Sequence, residues 1–143
     1  MTKKRWTLLL SIAILLLISI VYYKQTHLSI WGFSLPKKDI KEVIVLAEKD
    51  SFIITDKDAV LTIAKSVSKM KKHSKIETFP PESKSVRDKK IMIRTEGNIT
   101  YGSNIWVTEN NAVLESNGYY WDFDYNAFMT TLNTALENAA LLD

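Results

Sequence analysis

The chain has 143 residues, with 19 lysines and arginines against 16 aspartates and glutamates, two histidines and no cysteine. The lack of cysteine excludes a lipoprotein modification, structural disulfides and a cysteine nucleophile. Beyond the apolar N-terminus about 120 residues remain, which is enough for one domain and too few for two.

An uncharged apolar run extends from Trp6 to Tyr23. As a helix with a rise of ~1.5 Å per residue it reaches about 27 Å, close to the ~30 Å hydrocarbon core of a bilayer. Trp6 at one end and Tyr22 with Tyr23 at the other are typical of the aromatic belts at membrane interfaces. A cleaved signal peptide is the alternative, but residues 22–28 lack the small residues of a cleavage site. The run therefore predicts an uncleaved transmembrane anchor.

The distribution of positive charge predicts the orientation of this anchor. Three basic residues precede the run and one follows closely: Lys3, Lys4 and Arg5 before it, and Lys24 after it. The cytoplasmic flank of a membrane helix carries the excess of lysine and arginine. We therefore expect residues 1–5 to be a cytoplasmic tail, residues 6–23 to span the cell membrane, and the rest to be extracytoplasmic.

Residues 24–38, which include Pro36 ahead of two lysines, predict a juxtamembrane tether. Its apolar residues favour a position against the bilayer interface or against the domain, and it is expected to add nothing to the core. An extracytoplasmic domain is expected over residues 39–143. Truncation at about Pro36 should accordingly leave a folded domain.

The first half of this domain predicts a hairpin and a helix. Residues 40–47 and 51–55 are β-branched runs separated by a short polar turn, which indicates two paired strands. Thr55 can cap a helix over residues 57–72, or an aspartate just after it can, and apolar residues recur there at helical spacing. A loop is expected over residues 74–88, which contain two consecutive prolines.

The second half predicts a β-meander and a closing helix. Short strands are expected over residues 90–95, 99–101, 105–108, 112–115 and 119–123, separated by turn residues. Asp124 can cap a last helix whose apolar stripe includes Phe128, Leu132 and Leu136. The fold class is therefore α+β: one N-terminal transmembrane helix, then an antiparallel sheet in the order ββ-α-β-meander-α with one or two packed helices.

This order of elements and the closing pattern Tyr120-Trp121…Phe128…Leu132 resemble small uncharacterised proteins of Gram-positive bacteria that carry an N-terminal membrane anchor and an extracytoplasmic domain. The resemblance covers the whole chain. It implies a position on the wall-facing side of a single membrane. It implies no activity, because the shared pattern is structural and not catalytic.

Five lysines near the end of the first domain helix form one candidate binding surface: Lys65, Lys69, Lys71, Lys72 and Lys75. Lys65, Lys69 and Lys72 would share one helix face. Such a surface suits lipid headgroups, wall polymers or an acidic protein. The simpler interpretation is a solvated face whose lysines favour the helix dipole. Nucleic acid is not expected as a partner, because aromatic residues do not interleave with the lysines.

The second candidate surface is aromatic. Tyr119 and Trp121 fall on one face of the last predicted strand and Tyr120 on the other, while Tyr101 and Trp106 lie on neighbouring strands. An exposed set of these rings would bind a peptide or a glycan. The alternative is that Tyr119 and Trp121 belong to the core against the last helix. The pattern does not decide which face is exposed.

Catalytic and metal-binding patterns are weak. Ser66-Val67-Ser68-Lys69 matches the S-x-x-K of penicillin-interacting serine enzymes, but the K-T-G companion is missing and the chain is too short for that fold. Asp122-Phe123-Asp124-Tyr125-Asn126 begins like a calcium loop, yet Ala127 and Asn133 occupy its glycine and glutamate positions. We therefore expect no cofactor, no metal and no catalytic residue.

These observations favour a non-enzymatic interaction module that binds a protein outside the cell to inhibit, protect or scaffold it. One alternative is a binder of anionic wall polymer or lipid headgroups through the lysine-rich helix. Another is a small enzyme whose site the sequence does not reveal. Salt dependence separates the first two, because contacts through many lysines weaken steeply with ionic strength.

Overall fold

The structure is a computed structural model that describes residues 3–76, 86–108 and 111–142. The predicted α+β class is confirmed: an apolar N-terminal helix precedes an antiparallel sheet and two further helices. The helices are α1 (Lys3–Thr26), α2 (Lys57–Ser68) and α3 (Tyr125–Leu136), with a short 3-10 turn at Lys37–Asp39. The strands are β1 (His27–Ile30), β2 (Phe33–Pro36), β3 (Ile40–Leu46), β4 (Ser51–Ile54), β5 (Lys71–Lys75), β6 (Val86–Thr95), β7 (Thr100–Val107), β8 (Ala112–Ser116), β9 (Tyr119–Asp122) and β10 (Ala140–Leu141).

Helix α1 is long and apolar enough to cross a membrane between Arg5 and Thr26, and none of its most apolar stretch is buried against the protein. Its two internal serines satisfy their hydroxyls within the helix. Ser11 donates to the carbonyl of Thr7 at 3.0 Å, and Ser19 donates to that of Leu15 at 2.8 Å. No polar group of these serines therefore needs a partner outside the helix, as a hydrocarbon environment requires.

The main sheet has the strand order β10-β4-β3-β6-β7-β8-β9-β5, with antiparallel pairing throughout. One face carries the core, against which α2, α3 and the β1–β2 hairpin pack. The sheet contributes mainly β-branched residues to this core: Val43, Val45, Ile54, Ile91, Ile93 and Ile105. The helices contribute the apolar stripes that the periodicity predicts, including Ile63 of α2 and Leu132 of α3, both fully buried.

The β1–β2 hairpin corrects the prediction of a tether over residues 24–38. Ile30, Trp31 and Leu35 are buried in the core, so the folded domain begins at about residue 27 instead of 39. Trp31 occupies the left-handed backbone region (φ 47°) at the turn, where a bulky residue is unusual. Asn117 Nδ2 donates to the Trp31 carbonyl at 3.1 Å and fastens the turn to the sheet.

The prediction that the first domain helix reaches residue 72 is wrong. Helix α2 ends at Ser68, and the lysine-rich segment that follows is strand β5, paired with β9. Met70 is the last apolar residue of the helical pattern, so a longer helix would bury nothing, whereas a strand satisfies backbone groups on β9. Asp56 caps α2 by accepting from the Ala59 amide at 2.8 Å, in the place predicted for Thr55 or the aspartate after it.

The second half follows the predicted order more closely. Asp124 caps α3 as predicted and accepts from the Ala127 amide at 2.9 Å. The two strands expected around residues 99–108 are one continuous strand, β7. Part of the loop predicted over residues 74–88 is strand at its two ends, and the rest lies outside the described residues. Strand β10, which pairs with β4, has no counterpart in the sequence prediction.

Candidate functional site

The five candidate lysines do not share a helix face. Lys65 lies in the last turn of α2, Lys69 is its C-cap, and the other three lie on β5. A strand projects alternate side chains to opposite faces, so Lys71 and Lys72 point apart. The predicted surface is therefore divided between a helix end and the strand that follows it.

Lys72 joins the lysine set to the aromatic set. Its Nζ lies 3.8 Å from the ring centroid of Tyr119 and 5.9 Å from that of Trp121, on the neighbouring strand β9. A cation above an aromatic ring is attracted by the ring quadrupole. The sequence pattern predicts the lysines and the aromatic residues as two separate sites, because nearly fifty residues separate Lys72 from Tyr119 and Trp121 along the chain.

The four candidate aromatic residues do not form one exposed surface. Trp121 is buried in the core, and its Nε1 donates to the Ser116 carbonyl at 3.0 Å. Tyr101 packs against Phe33 of the hairpin, with 4.9 Å between ring centroids. Trp106 lies on the opposite face of β7 and donates to Glu115 Oε2 at 2.7 Å. An aromatic shelf built from all four residues is therefore not present.

Strand β5 lies at one edge of the sheet, where within the described ranges it pairs only with β9. A bulge between Lys72 and Ser74 interrupts the register. His73 Nδ1 lies 3.1 Å from Asp122 Oδ2, which ties the strand to β9. We call Lys69, Lys71 and Lys72, which are exposed at this end of the fold, the basic edge.

A cleft of about 750 Å³, lined by both charged and apolar side chains, opens at one end of the sheet, beside the start of α3. Asp88 accepts from Lys89 Nζ at 2.9 Å and from the Tyr125 hydroxyl at 3.1 Å. Burial, then the hydrogen bond to Asp88 and its charge, raise the pKa of Tyr125 above its ordinary value. Tyr125 therefore stays protonated at neutral pH and does not suit proton abstraction. The sequence missed this cleft, because Asp88 falls in the predicted loop.

Tyr120 has a different environment on the face opposite the core. Its side chain is 2% exposed, and its hydroxyl has no hydrogen-bond partner in the part of the chain that the structure describes. Burial and the nearby Glu115 carboxylate raise its pKa. The Glu115 carboxylate accepts a hydrogen bond from Trp106 Nε1. The Tyr120–Glu115–Trp106 group therefore stabilises the sheet and is not a candidate for chemistry.

The predicted anchor residues lie on α1, and all three are exposed: Trp6 near its start, and Tyr22 and Tyr23 near its end. Tyr23 also contacts the domain. Its ring stacks on that of His27 with 4.1 Å between centroids, and its hydroxyl lies 2.5 Å from Ser34 Oγ. Lys37 Nζ donates to the Gln25 carbonyl at the end of the helix. The helix therefore joins the hairpin through several contacts and without a linker.

No group of three or more histidine, aspartate or glutamate side chains among the described residues could hold a metal ion. Comparisons of the chain with protein-family models, with curated proteins and with solved structures find no match.

Proposed function

We propose that the protein is a single-pass, membrane-anchored interaction module, with its N-terminus in the cytoplasm and its domain outside the cell membrane. The observation that carries this proposal is that α1 is apolar, exposed and continuous with the folded domain. An exposed apolar helix of this length needs a hydrocarbon environment. The orientation is supported by the basic residues ahead of the helix.

The geometry at the end of α1 favours a permanent anchor over a cleaved signal. A signal peptidase would have to cut near residues 22–28, where the chain is helical and then enters β1. Tyr23 is held there by His27 and Ser34. Cleavage would therefore remove contacts of the folded domain, which supports an uncleaved helix.

We propose the basic edge as the surface that binds a partner protein, and an extended acidic segment as the part of the partner that it binds. The side chains of Lys69, Lys71 and Lys72 are exposed at this edge, where their ammonium groups can pair with the carboxylates of such a segment. Lysines on such an edge repel a second copy of the same edge, which protects against self-pairing. The same charges attract an acidic strand, so they select the partner while they exclude the copy. This role is one of binding and requires no catalytic group.

Single cysteines test the topology, because the chain has none of its own. Thr2→Cys and Lys49→Cys place one thiol at each end of the proposed arrangement. A membrane-impermeant maleimide added to intact cells should label only the Lys49→Cys variant, and lysis should expose the other. Labelling of Thr2→Cys in intact cells, or release of a form that starts after Tyr23, would contradict the proposal.

A photo-cross-linking residue at position 71 tests the partner surface in intact membranes. We expect a discrete protein adduct at position 71 and none at position 49, the control in the β3–β4 turn. The yield should fall at high salt and in a Lys69→Gln, Lys72→Gln background, because the contact is electrostatic. Equal yields at both positions would count against the basic edge. A product resistant to protease would instead favour an anionic wall polymer.

A further inference from the structure

The end of the domain that adjoins α1 contains a pocket of about 530 Å³. One wall is the end of α1 with the start of β1, and the other is the segment that links β2 to β3. The residues that matter here are Tyr22, Gln25 and His27 on the first wall and Lys37, Lys38 and Asp39 on the second. None of them belongs to the basic edge.

The pocket lies just past the apolar part of α1. Tyr22 is at the end of the uncharged run, and the helix continues only to Thr26. With a rise of ~1.5 Å per residue, the last turn extends about 6 Å beyond Tyr22. The headgroup layer on each side of a bilayer is about 5–7 Å thick. With α1 across a membrane, the pocket opens within that layer.

Positive charge faces this position. Lys38 is exposed at the rim, and Lys37 donates to the Gln25 carbonyl. That contact offsets the negative end of the helix dipole, which would otherwise repel a phosphate. Asp39 in the pocket wall and Glu96 in the turn beside it supply two opposing charges, and Lys24 and Lys41 flank the pocket in sequence. The balance near the pocket is therefore positive.

An exposed apolar residue lies beside the same end of the domain. The Glu96 amide donates to the Asp39 carbonyl at 2.8 Å, which brings the β6–β7 turn against the pocket wall. Ile99 follows this turn and is 58% exposed. An exposed apolar side chain at the same end of the domain as Lys37 and Lys38 matches the interfacial region of a bilayer, where apolar contact and headgroup charge act together.

We propose that this pocket binds the phosphate of an anionic phospholipid headgroup, with Lys38 as the principal donor and Lys37 as a second. The inference rests on the proposed function, because only a membrane-spanning α1 brings the pocket to headgroup depth. It goes beyond that function by assigning a lipid class to residues that play no part in binding the partner protein. The domain is then held against the bilayer by its lipid contacts as well as by its anchor.

Native mass spectrometry of the full chain in a neutral detergent tests the site. The probes are phosphatidylglycerol and phosphatidylcholine with identical acyl chains, supplied in equal amounts, and inorganic phosphate as a competitor. We expect preferential retention of phosphatidylglycerol, with no displacement by an equal concentration of phosphate. Lys38→Gln should lower this retention about fivefold, which corresponds to the binding free energy that one lysine contributes near an anionic surface. Lys49→Gln, a matched exposed lysine in the β3–β4 turn, should leave it unchanged.

Equal retention of the two lipids would overturn the headgroup site, as would an equal loss in Lys38→Gln and Lys49→Gln or displacement of the lipid by phosphate. Carbonate-resistant flotation of the full chain with phosphatidylcholine vesicles separates this failure from failure of the anchor. A chain that floats but shows no preference overturns the headgroup site alone. A chain that does not float overturns both proposals.

Discussion

Tyr120 on β9 and Tyr125 at the start of α3 differ in the hydrogen bonding of their hydroxyls. The Tyr125 hydroxyl donates to Asp88 at 3.1 Å, whereas the buried hydroxyl of Tyr120 has no partner among the described residues. A made hydrogen bond contributes about 1 kcal/mol to stability, while a buried unpaired polar group costs about 1–3 kcal/mol. The same substitution at the two positions should therefore act in opposite directions.

We expect Tyr125→Phe to lower the free energy of unfolding by about 1 kcal/mol and Tyr120→Phe to leave it unchanged or raise it. Urea denaturation at pH 8, followed by circular dichroism, measures both. A loss of about 1 kcal/mol or more in Tyr120→Phe would mean that its hydroxyl is paired after all.

The pH dependence of stability gives a second test of Tyr125. Its pKa is raised in the folded state, and an unfolded tyrosine titrates near 10. The folded state thus holds a proton that the unfolded chain loses. The resulting stability is complete below about pH 10 and is lost as the pH rises through the folded pKa. Above about pH 10, the free energy of unfolding of Tyr125→Phe should fall less steeply with pH than that of the parent protein, and parallel profiles would contradict this assignment.

Helix α3 is the element whose position the sequence indicates most directly. Leu132 is fully buried and Phe128 is 4% exposed, in the stripe that the spacing predicts. Leu132→Ala should cost about 2–5 kcal/mol, because it leaves a cavity against the sheet. Thr130→Ala on the exposed side of the same helix should change stability by no more than about 0.5 kcal/mol. Similar losses of stability for both variants in urea titrations would mean that α3 packs a different face against the sheet.

The β1–β2 hairpin is the element in which the structure departs most from the sequence prediction. Truncation to residues 27–143 keeps Ile30, Trp31 and Leu35 in the core, whereas truncation to residues 37–143 removes them. We expect the longer form to unfold cooperatively. The shorter form should lose several kcal/mol, since Trp31 alone is worth about 3–5 kcal/mol as a buried large side chain. Equal midpoints in thermal unfolding would restore the interpretation of this segment as a tether.

At the scale of the whole molecule, the direct junction between α1 and β1 fixes how the domain is held relative to its helix. The Tyr23–His27 stack, the Tyr23–Ser34 contact and the Lys37–Gln25 hydrogen bond all cross this junction. A flexible linker would leave the helix and the domain free to reorient. The contacts instead indicate one preferred orientation.

Spin labels at Lys24→Cys and Lys49→Cys measure this directly in bilayer nanodiscs, since no native cysteine interferes. We expect a single narrow distance distribution for the labelled full chain. Insertion of four glycine and serine residues after Thr26 should broaden it, because such linkers behave as flexible coils. A parent protein as broad as the insertion variant would argue against a rigid junction.

The elements that can be predicted from the sequence are those whose signals are local. The apolar run of α1 needs no contact with the domain to be recognised, and the stripes of α2 and α3 follow from helical spacing alone. The Asp124 cap and the Asn117-Gly118 turn depend on a few neighbouring residues. These features are sufficient to predict the α+β class and most of the order of the elements.

The positions of the candidate site residues depend on contacts between segments that are distant in the sequence. The end of α2 depends on β5 pairing with β9, so Lys71 and Lys72 leave the helix for a strand whose partner is distant in sequence. Burial of Trp31 depends on a turn far along the chain, at Asn117. Tyr101 and Trp106 separate because one continuous strand places them on opposite faces. Backbone pairing and burial between distant segments outweigh local propensity at these positions, and no local pattern in the sequence encodes them.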